Sequence, residues 1–349
     1  MRTTTRLVRL GRLSLGWALW WIGIAVLAQE GTPPAGGAEP AGSGPGASRQ
    51  AWAAAAMLSR GISVPGLLDP STDTAGTAAH AARVANTIAL AGFRSVHLPV
   101  TWPGTKSPGR ADAAGDDAFA ERLDVAVDAF LARGLGVVLA LLPPEPLPGR
   151  GATPWQSLAR RYAGRSDRLL FEISREPGWA AAPSQARAGL VHLLRLIRQT
   201  NPKRIVVIDW VNPIGLPQLP LPDDRNLIVA VGNEEPYRFT HQGVPGLPGA
   251  DRWLGTTCCN PREVQLMTIP LDLARTWSVE HRYPVWLGGF KSHAGVPLEG
   301  RARHARLMRE AAEARGLSWA YGDFSGDFGA YDPVARAWRR PLLEALLGP

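Results

Sequence analysis

Acidic side chains at the ends of short apolar runs are the groups in this chain best placed by type to move protons. The first is Glu176, in Leu170-Phe171-Glu172-Ile173-Ser174-Arg175-Glu176-Pro177. Its neighbour Arg175 would favour the ionised carboxylate and lower its pKa, whereas a general acid needs the opposite shift. Glu234 follows a later run, and Asp323 and Asp327 sit in Gly322-Asp323-Phe324-Ser325-Gly326-Asp327, where they could equally be turn formers. No Cys-x-x-Cys pair and no His-Glu-x-x-His cluster occurs, so no metal and no cofactor is expected. The two cysteines, Cys258 and Cys259, are adjacent. They cannot build a disulfide framework; neighbours can bridge in a strained ring, and the simpler reading is two loop thiols.

The elements that must position these groups recur at regular intervals. Apolar runs fall at 61–64, 95–99, 136–142, 169–173, 204–208, 226–231, 284–287 and 318–321, which makes eight strand candidates. Between most of them, stretches such as 78–91, 119–133, 186–199 and 301–314 return an apolar residue every three or four positions, the spacing of a helix. Gly92, Gly134 and Gly316 follow three of these stretches, where a left-handed residue ends a helix. Strands and helices in alternation, the strands apolar on both faces, predict a parallel sheet. Eight repeats predict its closure into a single-domain α/β fold, a (β/α)8 TIM barrel. Active sites in such barrels form at the C-terminal ends of the strands, so the last residue of each run is the one to examine.

Ahead of the barrel lie two segments of other character. Arg2, Arg6, Arg9 and Arg12 precede an uncharged apolar stretch from Leu13 to Ala28. That pattern predicts a signal peptide over 1–28, or else an N-terminal membrane anchor, and either exports the rest to a periplasmic or extracellular location. Residues 29–50, rich in Pro, Gly and Ala, read as a flexible linker, and 51–349 as the barrel. The net charge of +8 halves to +4 once the four leader arginines are set aside. With no basic run interleaved with aromatics, nucleic acid is excluded as a partner.

Five ordered matches give the barrel a family. Arg60-Gly61-Ile62-Ser63, the run from Ala91-Gly92-Phe93 to Val100-Thr101-Trp102, Phe171 to Pro177, Glu235-Pro236-Tyr237-Arg238-Phe239-Thr240-His241-Gln242-Gly243 and Trp319-Ala320-Tyr321 resemble glycoside hydrolase family 5, the cellulase-like retaining glycosidases. The resemblance runs from about Met57 to the C-terminus and implies two carboxyl groups about 5 Å apart, one protonating the leaving oxygen and one attacking the anomeric carbon. It places the acid/base on Glu176, with Arg175 where the family writes Asn, and the nucleophile on Gly289, in Gly288-Gly289-Phe290-Lys291. Glycine cannot attack. The family's strand-two arginine is matched by His97, its strand-three histidine by Leu142 or Pro143, its His-x-Tyr pair by Gly232 and Glu234, and its last-strand tryptophan by Gly322.

Three functions follow from that pattern. The first is an exported barrel that binds or acts on a β-linked polysaccharide or oligosaccharide with weak or no hydrolysis, a pseudoenzyme serving envelope polysaccharide machinery. Arg175, His97 and Trp102 would then contact sugar. The second is an active O-glycosyl hydrolase with a relocated carboxylate, Glu234 or Asp323. The third is a non-catalytic protein-interaction scaffold whose old pocket has filled in. His241 and Gln242 are expected to hold the loop after strand six.

Overall fold

The computed structural model describes residues 46–68, 73–102, 113–142, 152–173, 183–210 and 213–348. The chain divides into a segment Met1–Pro40 and a compact unit Ala41–Pro349, and every described residue belongs to the second.

Eight parallel strands close into a barrel in sequence order: β1 (Gly61–Ser63), β2 (Ser95–Thr101), β3 (Gly136–Leu142), β4 (Leu169–Ile173), β5 (Val206–Asp209), β6 (Leu227–Gly232), β7 (Val285–Phe290) and β8 (Ser318–Tyr321). β8 returns to pair with β1, Gly61 against Ala320, so the sheet has no free edge. All eight fall on the runs read from the sequence, with ends that shift by up to three residues. The helices start earlier than the apolar spacing alone indicates, because their first turns are polar or capped. α2 (Thr74–Ala91), for example, begins where the Asp73 side chain accepts from the Gly76 amide at 2.7 Å. Gly92, Gly134 and Gly316 all take left-handed backbone, as expected of helix ends.

Two separate cores result from strand alternation. Outward residues such as Val96, Leu139, Phe171 and Leu287 pack under the helices. Inward residues Val138, Leu170, Val207, Ile228 and Trp286 fill the barrel lumen, together with Ala51, Ala54, Ala55 and Leu58 of α1 (Arg49–Met57). α1 therefore plugs the N-terminal end of the barrel. It starts two residues before the expected barrel boundary, where Ser48 accepts from the Ala51 amide at 3.1 Å and donates to Asn226 at 2.7 Å.

Candidate functional site

The same inward parity that buries Leu170 and Val138 brings the next inward residues to the open C-terminal end. They are Ser63 on β1, His97 on β2, Glu172 on β4, Asp209 on β5 and Ala230 with Gly232 on β6. With Glu234, Trp286, Gly288, Gly289, Lys291 and Asp323 they line a cavity of about 420 Å³. On β7 the register with both neighbours shifts after Leu287, so the two glycines Gly288 and Gly289 pass through a bulge and both reach the cavity.

His97 stands at the centre of this mouth. Its Nδ1 is 3.2 Å from the Ser63 hydroxyl and its Nε2 is 3.2 Å from Glu172 Oε2, while the Trp286 ring meets it edge-on at 5.8 Å. Burial alone would lower the His97 pKa, but the charge of Glu172, the hydrogen bond to it, and the charges of Asp209 and Asp323 outweigh burial and raise it. The imidazolium is thus stabilised by the carboxylates around it. Glu172, itself buried, is held in place by the same contact.

Asp323 lies across the mouth, directly after β8. Burial raises its pKa, and the Lys291 charge, 3.7 Å away, and that of His97 offset only part of the rise. The Lys291 ammonium also sits 4.7 Å from the Phe328 ring centroid, a cation–π contact. The loop that carries Asp323 is tied down from below by Arg301 of α8 (Leu298–Ala314). Its buried guanidinium donates to the Phe328 and Gly329 carbonyls, both at 2.8 Å, and the Tyr321 hydroxyl donates to Phe328 at 3.0 Å.

Glu234 is exposed at the rim, its carboxylate 3.6 Å from His241 Nε2. His241 and Gln242 serve the loop after β6, as read from the sequence. The buried Gln242 amide donates to the Phe239 and Thr256 carbonyls and accepts from the Gly255 amide at 2.9 Å, and the His241 ring stacks on Tyr237 at 4.1 Å. Burial holds the His241 pKa below its ordinary value, with Glu234 opposing.

Residues 60–327 match the pattern of the family described as Cellulase, glycosyl hydrolase family 5. This chain belongs to that family. Endoglucanase H of Acetivibrio thermocellus is 27% identical over 275 residues, which is 74% of this chain but only 29% of that relative's own length. The endoglucanase Cel5A of Thermotoga maritima superimposes with a TM-score of 0.75 at 28% identity, covering 85% of this chain and 99% of the other. Its complex with mannotriose gives 0.74 at 25%, covering 85% and 100%. The cellulose synthase subunit Z of Clostridioides difficile, 24% identical with a TM-score of 0.70 over 83% and 99% of the two chains, shares the fold alone.

Several family positions read from the sequence come together at the mouth of this family-5 barrel: His97, Gly232, Glu234, Gly289 and Gly322 all line the cavity, and Asp323 joins them. Glu176, Arg175 and Pro143 lie outside the described residues. Leu142 closes β3, exposed at its end. Trp102 does not offer a face to a ligand. It is buried, edge-on to Phe119 at 5.2 Å, because its position puts the indole under α3 (Ala113–Leu131) rather than over the mouth. The cysteines also depart from expectation, since Cys258 and Cys259 are joined by a disulfide and both pack against the outer core instead of facing solvent as thiols.

Ser63, Glu172, Asp209 and Lys291 went unnoticed as site residues in the sequence. The signal for three of them was parity: counting forward in twos along the inward row from Gly61, Leu170 and Val207 reaches Ser63, Glu172 and Asp209. Nothing local marks Lys291. Among the described residues no helix is long and apolar enough to cross a membrane, and no cluster of His, Cys, Asp and Glu has the makings of a metal site.

Proposed function

We propose that the mouth of this barrel binds a β-linked polysaccharide or oligosaccharide, and that hydrolysis there is weak or absent because Gly289 occupies the nucleophile position. One observation carries this reading. Gly289 lines the cavity, and among the described residues, its two chain neighbours aside, no atom lies within 4 Å of where its Cβ would stand. That open space among the described residues supports reading the carboxylate as lost without a substitute beside the backbone. Related enzymes support the ligand class, since Cel5A of Thermotoga maritima has been seen with cellobiose and with mannotriose. The open cavity also weighs against a scaffold whose pocket has filled in. Export through residues 1–28, a linker that starts at 29 and ends before α1, and service to an envelope polysaccharide system, with membrane association only through the N-terminal segment, complete the proposal.

The test is reducing-end release by the full chain from a panel of β-glucans and mannans. Binding with release at background level is expected. Release that Glu176→Gln abolishes would overturn the reading.

A second reading, an active hydrolase with a relocated carboxylate, is favoured by Asp323. Its carboxylate lines the cavity, largely buried and 3.7 Å from Lys291, where it is placed to serve as nucleophile or water-activating base with Glu176 as the acid. Glu234, exposed at the rim beside His241, is the weaker candidate of the two. If the second reading holds, the wild type hydrolyses a β-glucan and Asp323→Asn removes that activity while leaving binding unchanged.

A further inference from the structure

Beside the mouth lies a second cavity of about 650 Å³ that the site described above does not use. The two adjoin: Pro65 lines both, and consecutive residues Asp323 and Phe324 face one each. A polymer seated at the mouth would need to extend only past Pro65 to enter the second.

The walls of this cavity differ in charge from the mouth. Arg83 and His80 come from α2, and Arg336 from the turn between β9 (Tyr331–Asp332) and β10 (Ala337–Trp338). No acidic side chain occurs among its described lining residues. Asp332, between the lining residues Tyr331 and Pro333, is engaged by Arg339 at 3.2 Å and by the Val334 and Ala335 amides, both at 3.0 Å. Among the described residues neither the Arg83 nor the Arg336 guanidinium has an ion-pair partner. Arg336 moreover takes a left-handed backbone, φ 52°, where glycine or asparagine would be easier. The turn keeps arginine there at a conformational cost.

The remaining wall suits a sugar ring. Phe324 and Tyr331 stack at 4.8 Å, with Tyr331 only half-buried, and Asn86 and Thr87 supply hydrogen-bonding groups beside them. We infer that this cavity is a subsite for a sugar residue carrying an anionic substituent, a carboxylate or a sulfate, held by Arg83 and Arg336. The inference rests on the sugar-binding reading of the mouth and narrows its ligand to an acidic β-linked polysaccharide. Guanidinium forks match the two-oxygen geometry of either group. His80 adds a hydrogen bond rather than a charge, because burial and the nearby Arg83 hold its pKa below the ordinary value.

The experiment is calorimetric titration of the full chain with three ligands of equal length: a neutral cello-oligosaccharide, the same oligosaccharide oxidised to carboxylate at C6, and its sulfated counterpart. At least one charged ligand is expected to bind ten times more tightly than the neutral one or better, and the one that does names the substituent. The double variant Arg83→Ala, Arg336→Ala should bring that ligand to the neutral level without changing the neutral affinity. Both side chains are exposed, so the fold should survive; should it not, raising salt from about 50 to 500 mM must weaken the charged ligand alone. Equal affinity for charged and neutral ligands overturns the subsite and leaves the proposed function standing. Binding of none of the three overturns both.

Discussion

Gly289 can be tested for what its missing side chain costs. Its φ lies outside the left-handed range, and a Cβ added there meets no atom within 4 Å, so neither backbone strain nor crowding requires glycine. Gly289→Ala should therefore stabilise the barrel by about 0.5–1 kcal/mol, the usual penalty of glycine inside a strand. Gly295→Ala is the contrasting control, because its Cβ would fall on the Gln242 carbonyl oxygen and the loop after β6 must give way. A loss of about 2 kcal/mol or more is expected there. Gly289→Glu should leave stability within about 1 kcal/mol of wild type, its carboxylate entering an open cavity that already holds Lys291 and His97. A well-oriented nucleophile has an effective molarity of about 10⁵ M or more, but the other departures from the family pattern around it remove much of that advantage. A gain on the order of 100-fold in reducing-end release is expected, abolished by adding Glu176→Gln. Urea unfolding reads the first quantity and a β-glucan assay the second. If Gly289→Ala destabilises the protein, the space is not free; if a folded Gly289→Glu releases no more than wild type, the absent carboxylate is not what limits hydrolysis.

Three further outcomes follow from the geometry. His304 is fully buried, its Nε2 bonded to the Glu235 carbonyl at 3.0 Å, and burial lowers its pKa from 6.5 to about 4. The unfolded chain takes up that proton first, so stability should be lost as pH falls from about 6.5 to 4, on the order of 3 kcal/mol, and urea midpoints for wild type and His304→Leu should show the difference in slope. Arg301→Ala leaves the Gly329 carbonyl without its buried donor and the Phe328 carbonyl with Tyr321 alone, and should cost about 3 kcal/mol in thermal unfolding, with the Asp323 loop becoming sensitive to proteolysis. Lys291→Met removes the largest influence opposing the burial of Asp323, so the Asp323 pKa should move further up, which carboxyl-carbon NMR titration would show; a fall would refute the pairing.

The legible part of the fold was its periodicity. Eight strands, their parallel pairing and the glycines that end three helices follow from apolar spacing and backbone preference, both local properties of the chain. Local spacing misled at Trp102, because the residue after a strand can turn toward the helices as readily as toward the mouth, and at Cys258 and Cys259, where packing against the core decided what adjacency left open. Glu172 was read past in favour of Glu176, since a carboxylate inside a strand of buried residues resembles a core anomaly until its partner is known. That partner, His97, is 75 residues away in sequence.

By itself, then, the order of residues determined the barrel and its family, because each depends on residue identity or on repeats a few residues long. Closure of the sheet decided the rest. Only when β8 meets β1 do Ser63, His97, Glu172, Asp209, Lys291 and Asp323 share one cavity, and only the return of the chain after β8 sets Arg336 opposite Arg83. Electrostatic neighbours are chosen by distance in space, and that distance does not exist until the strands have closed.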